Sequence, residues 1–130
     1  MKRVLVVEDE NAQRETLYYL LKSYIPEVEF DICENGDDAI KKFAEREYFL
    51  VIVDLHLGKG GLQGRDVIGT VRKTSNVPII VITGTEYPFH SQEYKSLKVQ
   101  EYNKKPIKAS DLEKLVRKYL GLTLPDAGVG

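Results

Sequence analysis

The chain has 130 residues and a mass of 14.8 kDa, and its 19 Lys and Arg stand against 20 Asp and Glu for a net charge of −1. A domain of this size hides roughly two-thirds of its unfolded surface, enough for a core without staples, and a single cysteine, Cys33, excludes an internal disulfide. Near-neutral charge gives no bulk field for nucleic acid or an acidic membrane, and no apolar stretch nears the ~20 residues of a membrane span.

The first apolar run, residues 4–7, is β-branched and bounded by charge, the pattern of a strand buried on both faces. It ends at once in Glu8-Asp9-Glu10, too soon for a signal peptide, and a cytoplasmic protein is the expectation. Residues 12–24 follow as a helix with Leu17, Leu20, Leu21 and Tyr24 on one stripe, stopped by Pro26. A more polar strand is predicted over 28–33, then a helix over 36–47 carrying Ala39, Ile40, Phe43 and Ala44, with Asp37 and Asp38 in the first turn where the helix dipole favours them. Residues 50–53 and 79–82 repeat the buried-strand pattern, separated by a helix over 65–73. A helix over 91–97 has a thin apolar face and Pro88 near its start. After a strand over 99–103, Ser110-Asp111-Leu112-Glu113 reads as a capping box for a last helix bearing Leu112, Leu115, Val116, Tyr119 and Leu120. Five β-α alternations and the right-handed crossover rule give a doubly wound α/β sandwich with a parallel sheet over residues 1–120. Residues 121–130 read as a tail or linker.

Ligands of open α/β sheets bind beyond the carboxyl ends of the strands. That edge receives Glu8-Asp9-Glu10 from the first strand, Asp54 from the third, Thr83-Gly84 from the fourth and Lys104-Lys105-Pro106 from the fifth. Glu8, Asp9 and Asp54 repel one another unless a hard divalent cation with a taste for oxygen, magnesium or manganese, relieves them. With Lys105 in the same pocket, three carboxylates, one ammonium and a divalent ion leave a neutral site for an incoming phosphoryl group. A carboxylate held there can act as a nucleophile toward phosphorus, with Lys105 and the Thr83 hydroxyl on the phosphoryl oxygens.

Glu8-Asp9, Asp54, Thr83 and Lys105-Pro106, in this order and each at a strand end, resemble the receiver domain of bacterial two-component response regulators, the CheY-like family. The resemblance implies a flavodoxin-like sheet of order 2-1-3-4-5. It also implies Asp54 as phosphoacceptor, Asp9 and the backbone carbonyl of His56 as direct magnesium ligands, and Glu8 as a ligand through water. Thr83 and Lys105 would bind the phosphoryl group, Tyr102 would be an aromatic switch, and the Lys105-Pro106 bond would be cis. The implied partners are a sensor histidine kinase or histidine phosphotransfer protein and a downstream output domain or protein. The surface of the fourth helix, fifth strand and fifth helix would carry the signal, and a phosphorylation-dependent homodimer is compatible with it.

The loop after Asp54 departs from the family, with Gly58 where a proline is usual and Leu62 where a glycine is usual. Gly64 supplies that glycine after a two-residue insertion within Gly58-Lys59-Gly60-Gly61, which predicts a more mobile loop. His56 and Thr85 stand where the family tunes loss of the phosphate. Side-chain metal ligation by His56 lacks a neighbouring partner in sequence, His90 lying in the fourth helical segment. The basic residues Lys95, Lys98, Lys104, Lys108, Lys114, Arg117 and Lys118 mark a solvated face or a partner surface. A phosphohydrolase of aspartate-nucleophile type would need Asp-x-Asp, which Asp54-Leu55-His56 does not supply. A flavodoxin would need a first loop of Ser, Thr and Gly to cradle phosphate. A pseudo-receiver, a binding module independent of phosphorylation, is the remaining alternative.

Overall fold

The structure, a computed structural model, describes residues 1–58, 60–85, 88 and 91–124. Strands β1 (Arg3–Val7), β2 (Glu29–Cys33), β3 (Leu50–Val53), β4 (Ile79–Thr83) and β5 (Glu101–Lys104) form one parallel sheet of order β2-β1-β3-β4-β5. Helices α1 (Asn11–Tyr24), α2 (Gly36–Glu45), α3 (Gly64–Arg72), α4 (Gln92–Ser96) and α5 (Ala109–Leu120) alternate with them. The flavodoxin-like order is therefore present as expected.

The continuous apolar runs exist because the three central strands are covered twice. Leu5, Val7, Val51, Val53, Ile79 and Val81 pack with Ala39, Val67, Ile68 and Val71 from α2 and α3. Val4, Val6, Leu50, Ile52, Ile80 and Ile82 pack with Leu21 of α1 and with Leu112, Val116 and Leu120 of α5. Alternate side chains of one strand thus serve opposite layers. Arg72 at the end of α3 donates to the carbonyls of Leu97 (2.7 Å), Val77 (2.7 Å) and Lys98 (2.9 Å). It ties α3 to the chain entering β5, where α4 itself buries no residue.

Several local expectations are corrected. Tyr24 is exposed and does not join the α1 stripe; the fully buried Ile25, which leaves the helix at φ −133°, turns inward in its place. Ala44 is exposed, and α2 stops at Glu45 rather than 47. The capping box at Ser110 does not form: α5 begins two residues earlier, with Lys108 as N-cap and no side-chain cap. A reciprocal box instead opens α3, where the Asp66 carboxylate accepts from the Gln63 N–H at 2.8 Å. The buried stripe of α5 is nevertheless the predicted one, because periodic burial decides it and the cap does not. Gly121, at φ 69°, ends that helix in the left-handed conformation that suits glycine. His90 and residues 125–130 of the tail lie outside the described residues.

Three protonated groups hold their protons harder in this fold. Burial pushes the Cys33 thiol up to about 11. Burial and then the hydrogen bond to Glu101 push the Tyr119 hydroxyl up to about 12, and burial with a bond to Asp31 raises Tyr48 further. A raised folded pKa means the unfolded chain loses its proton first, so stability is full below the unfolded values and lost as pH climbs through the folded ones. The urea midpoint is therefore expected to hold to about pH 8 and fall steadily above about pH 9, with Tyr119→Phe flattening the fall in equilibrium unfolding measured by circular dichroism.

Candidate functional site

The carboxyl ends of β1 and β3 lie side by side because Val7 and Val53 are register partners. The chain leaving each strand therefore carries Glu8 and Asp54 to adjacent positions, where they are only 4 % and 8 % exposed. Lys105 follows β5, and its backbone N–H donates to the Thr83 carbonyl at 2.8 Å, which fixes its start across the end of β4. Its ammonium then reaches Asp54 Oδ2 and Glu8 Oε1, each at 2.7 Å. The Lys105-Pro106 bond is cis, as the resemblance implies.

Burial raises the Glu8 carboxyl above the usual carboxylate range against the lowering effect of Lys105. Burial also disfavours the Lys105 ammonium, but its hydrogen bonds to Asp54 and Glu8 outweigh that and raise its pKa. The lysine is therefore a fixed positive charge between two carboxylates.

Glu8, Asp9 and Asp54 each present a carboxylate oxygen within 4.8 Å of the others. Three hard oxygen donors at that spacing fit a magnesium- or manganese-sized cation. The other oxygen of Asp54, Oδ1, accepts from the His56 backbone N–H at 3.0 Å, so the acceptor's orientation is set from two sides. The His56 ring does not face the carboxylates; its Nε2 lies 3.0 Å from Thr85 Oγ1, which is 3.4 Å from the Thr83 hydroxyl. Thr83 is fully buried at the end of β4. Tyr102, on the edge strand β5, is 38 % exposed.

The sequence misses several residues that shape this site. Gln63 holds the glycine-rich loop, accepting from the Leu57 N–H at 2.8 Å and donating to the carbonyls of Leu57 (3.3 Å) and Gly60 (3.4 Å). Gln63 thus links Leu57, before the inserted residues, to the start of α3. Arg14 donates to the Glu8 and Asp9 carbonyls, each at 3.2 Å. Gln13 Oε1 accepts from Lys105 Nζ at 2.7 Å. Polar contacts of this kind carry no periodic signal, whether over a few residues, as for Gln63 and Arg14, or over 92, as between Gln13 and Lys105; only the position of Gln13 and Arg14 one turn after the acidic cluster hints at them. Of the basic residues, Arg117 is not part of a free face, because it is held by Glu113 (2.9 Å), Glu27 (2.9 Å) and the Tyr24 carbonyl (2.9 Å).

Beneath the carboxylates, a cavity of about 430 Å³ opens between α1 and the sheet, lined by Val6, Leu17, Leu20, Ile52, Ile82 and Ile107. From the first turns of α1 it is lined by the small Ala12 and Thr16 together with Gln13.

A family model of the response regulator receiver domain matches residues 4–117. This chain belongs to that family. The receiver is 31 % identical over 130 residues to the sensory transduction protein RegX3 of Mycolicibacterium smegmatis, covering 98 % of this chain and 55 % of that protein. It is 29 % identical over 119 residues to the sensory transduction protein LytT of Bacillus subtilis, covering 92 % of this chain and 48 % of LytT. The chain thus spans about half the length of these relatives. The response regulator TrrA of Thermotoga maritima, solved in complex with Mg²⁺ and BeF, superposes with a TM-score of 0.78 at 34 % identity, covering 92 % of this chain and 99 % of TrrA. A phosphoacceptor role in two-component signalling goes with this family, and the intact acidic cluster and lysine disfavour the pseudo-receiver alternative.

Gly64 is the residue that lets the receiver's loop close behind Asp54. A Cβ there would stand 2.0 Å from the Asp54 carbonyl oxygen and 2.7 Å from Leu55 Cα, both backbone atoms that cannot yield. Gly64→Ala is expected to cost at least about 3 kcal/mol, read as a lowered urea midpoint at unchanged m-value.

Proposed function

We propose that Asp54 is the phosphoacceptor of a signalling switch and that the other site residues serve its phosphorylation. The observation that carries this reading is the single ammonium of Lys105 at 2.7 Å from both Asp54 and Glu8, beside a third carboxylate, Asp9. A buried carboxylate with a lysine on one oxygen and a backbone N–H on the other is oriented for in-line attack on phosphorus. The Asp54 oxygen forms a bond to phosphorus while the bond from phosphorus to the donor nitrogen or oxygen breaks, its electron pair leaving with the donor. Lys105 then donates to one phosphoryl oxygen and the Thr83 hydroxyl to another.

Asp9, Asp54 and the His56 carbonyl would hold magnesium or manganese directly and Glu8 through water; bound there, the ion supplies positive charge against the phosphoryl oxygens. The complex of TrrA with Mg²⁺ and BeF supports this assignment. In this reading the protein accepts a phosphoryl group and does not turn over an external substrate.

The donor is a phosphohistidine on a sensor kinase or phosphotransfer protein. A drawn-in Thr83 vacates space toward Tyr102, whose exposed ring lies on the strand beside it, and the α4-β5-α5 surface changes shape. That surface would be read by an output domain or protein, or by a second copy of the chain. The unit is the receiver over residues 1–120, with 121–130 as a tail or linker, and the family match over 4–117 supports that division. The reading places the site of action in the cytoplasm, with the phosphohistidine donor; no helix among the described residues is long and apolar enough to cross a membrane.

Incubation with acetyl phosphate and magnesium is expected to add one phosphoryl mass by intact mass spectrometry. Asp54→Asn should abolish the adduct, and Thr83→Ala should slow its formation by about tenfold, the order for loss of one hydrogen bond worth about 1.4 kcal/mol. A protein that gains no mass with several small donors would contradict the assignment.

A further inference from the structure

An ammonium has three protons to place. In this site Lys105 gives two of them to carboxylates, Glu8 Oε1 and Asp54 Oδ2, and the third to Gln13 Oε1, all at 2.7 Å. Gln13 is the neutral member of the three and the one contributed by α1. Its amide is oriented from the far side as well, because its NH₂ donates to Glu10 Oε2 at 2.8 Å. Reversing that amide would set its NH₂ against the ammonium, donor against donor, and its oxygen against the Glu10 carboxylate. The short chain Glu10, Gln13, Lys105, Asp54 therefore has one self-consistent arrangement.

Packing alone does not hold the lysine. Its side chain borders the cavity of about 430 Å³, lined near its mouth by the small Ala12 and Thr16. A lysine stem has many rotamers, so in a site with free space on one side a directional contact at its tip decides where the charge sits.

We propose that Gln13 is a positioning residue for phosphoryl uptake: it anchors the Lys105 ammonium while that group exchanges Asp54 Oδ2 for an oxygen of the incoming phosphoryl group. The inference rests on Asp54 being the acceptor. During transfer, Asp54 gains a bond to phosphorus, the donor's bond to phosphorus breaks with its electron pair leaving on the donor, and Lys105 keeps all its protons. The lysine only changes acceptors. Glu8 and Gln13 hold it through the change, and Gln13 does so without adding negative charge beside an anionic substrate.

The test uses the full chain with acetyl phosphate as probe. Gln13→Met keeps the length of the side chain and removes the acceptor oxygen; Gln13→Glu keeps an acceptor oxygen. In Gln13→Met the limiting rate of phosphorylation at saturating donor should fall about fivefold, the order for one hydrogen bond made by an exposed side chain, with the donor concentration for half-maximal rate unchanged. In ¹⁵N-labelled, magnesium-free protein, the Lys105 ammonium signal, assigned by its loss in Lys105→Arg, should be present in the wild type and in Gln13→Glu. It should be broadened away in Gln13→Met. A wild-type limiting rate or an unchanged Lys105 signal in Gln13→Met overturns the proposal. If the wild-type protein itself takes up no phosphoryl group, the acceptor reading fails instead, and the ammonium signal, which needs no donor, still decides whether Gln13 anchors Lys105.

Discussion

Two carboxylates, Glu8 and Asp54, sit almost out of water at the ends of adjacent strands and share one ammonium. Desolvated charges of one sign repel strongly, and a buried group stripped of its partner costs about 3–5 kcal/mol. Lys105 therefore has to be delivered to this point, and the fold does so through the register of β4 with β5 and the Lys105 N–H bond to Thr83. With Asp9 added, three carboxylates exceed the one ammonium by two negative charges, and that excess is what makes the cluster suitable for a divalent cation.

The rest of the molecule is arranged so that this edge is rigid where charge is held and adaptable beside it. β1, β3 and β4 are buried on both faces, so the ends that carry Glu8, Asp54 and Thr83 have little freedom. Behind Asp54, the close approach of Gly64 and the bonds of Gln63 to Leu57 and Gly60 fix the base of a loop that holds several glycines. Toward α1 and α4 the packing is sparser. α1 buries only Leu21 and borders a cavity, and α4 is five residues long, joined to the core through the partly buried Tyr94 and the following Leu97. Elements with few buried contacts open at low cost, and both of these flank the site that would be phosphorylated.

Much of this was legible in the chain because burial has a period. Three four-residue apolar runs announced the central strands, and the i, i+3, i+4 spacing of Leu112, Leu115 and Val116 announced α5. Errors fell where local pattern competes with geometry. Ser110-Asp111-Leu112-Glu113 has the composition of a cap, yet α5 starts earlier, because the chain leaving β5 already places Lys108 and Ala109 at the helix entrance. Tyr24 fits the helical stripe, but the helix ends there and Ile25 fills the core in its stead.

The sequence alone determined the class of fold, the identity of the acidic and basic residues at the strand ends, and the kind of chemistry such a set can perform. Those properties depend on hydrophobic period and on residue type, which are local and written in order along the chain. Only the tertiary structure decided that Lys105 lies between Glu8 and Asp54, that Gln13 takes its third proton, that the His56 ring turns to Thr85, and that Gln63 closes the loop. Lys105 and Glu8 are 97 positions apart and Lys105 and Gln13 are 92 apart. Contacts over such separations are fixed by strand register and by the directions of polar side chains, and neither leaves a periodic trace in the sequence.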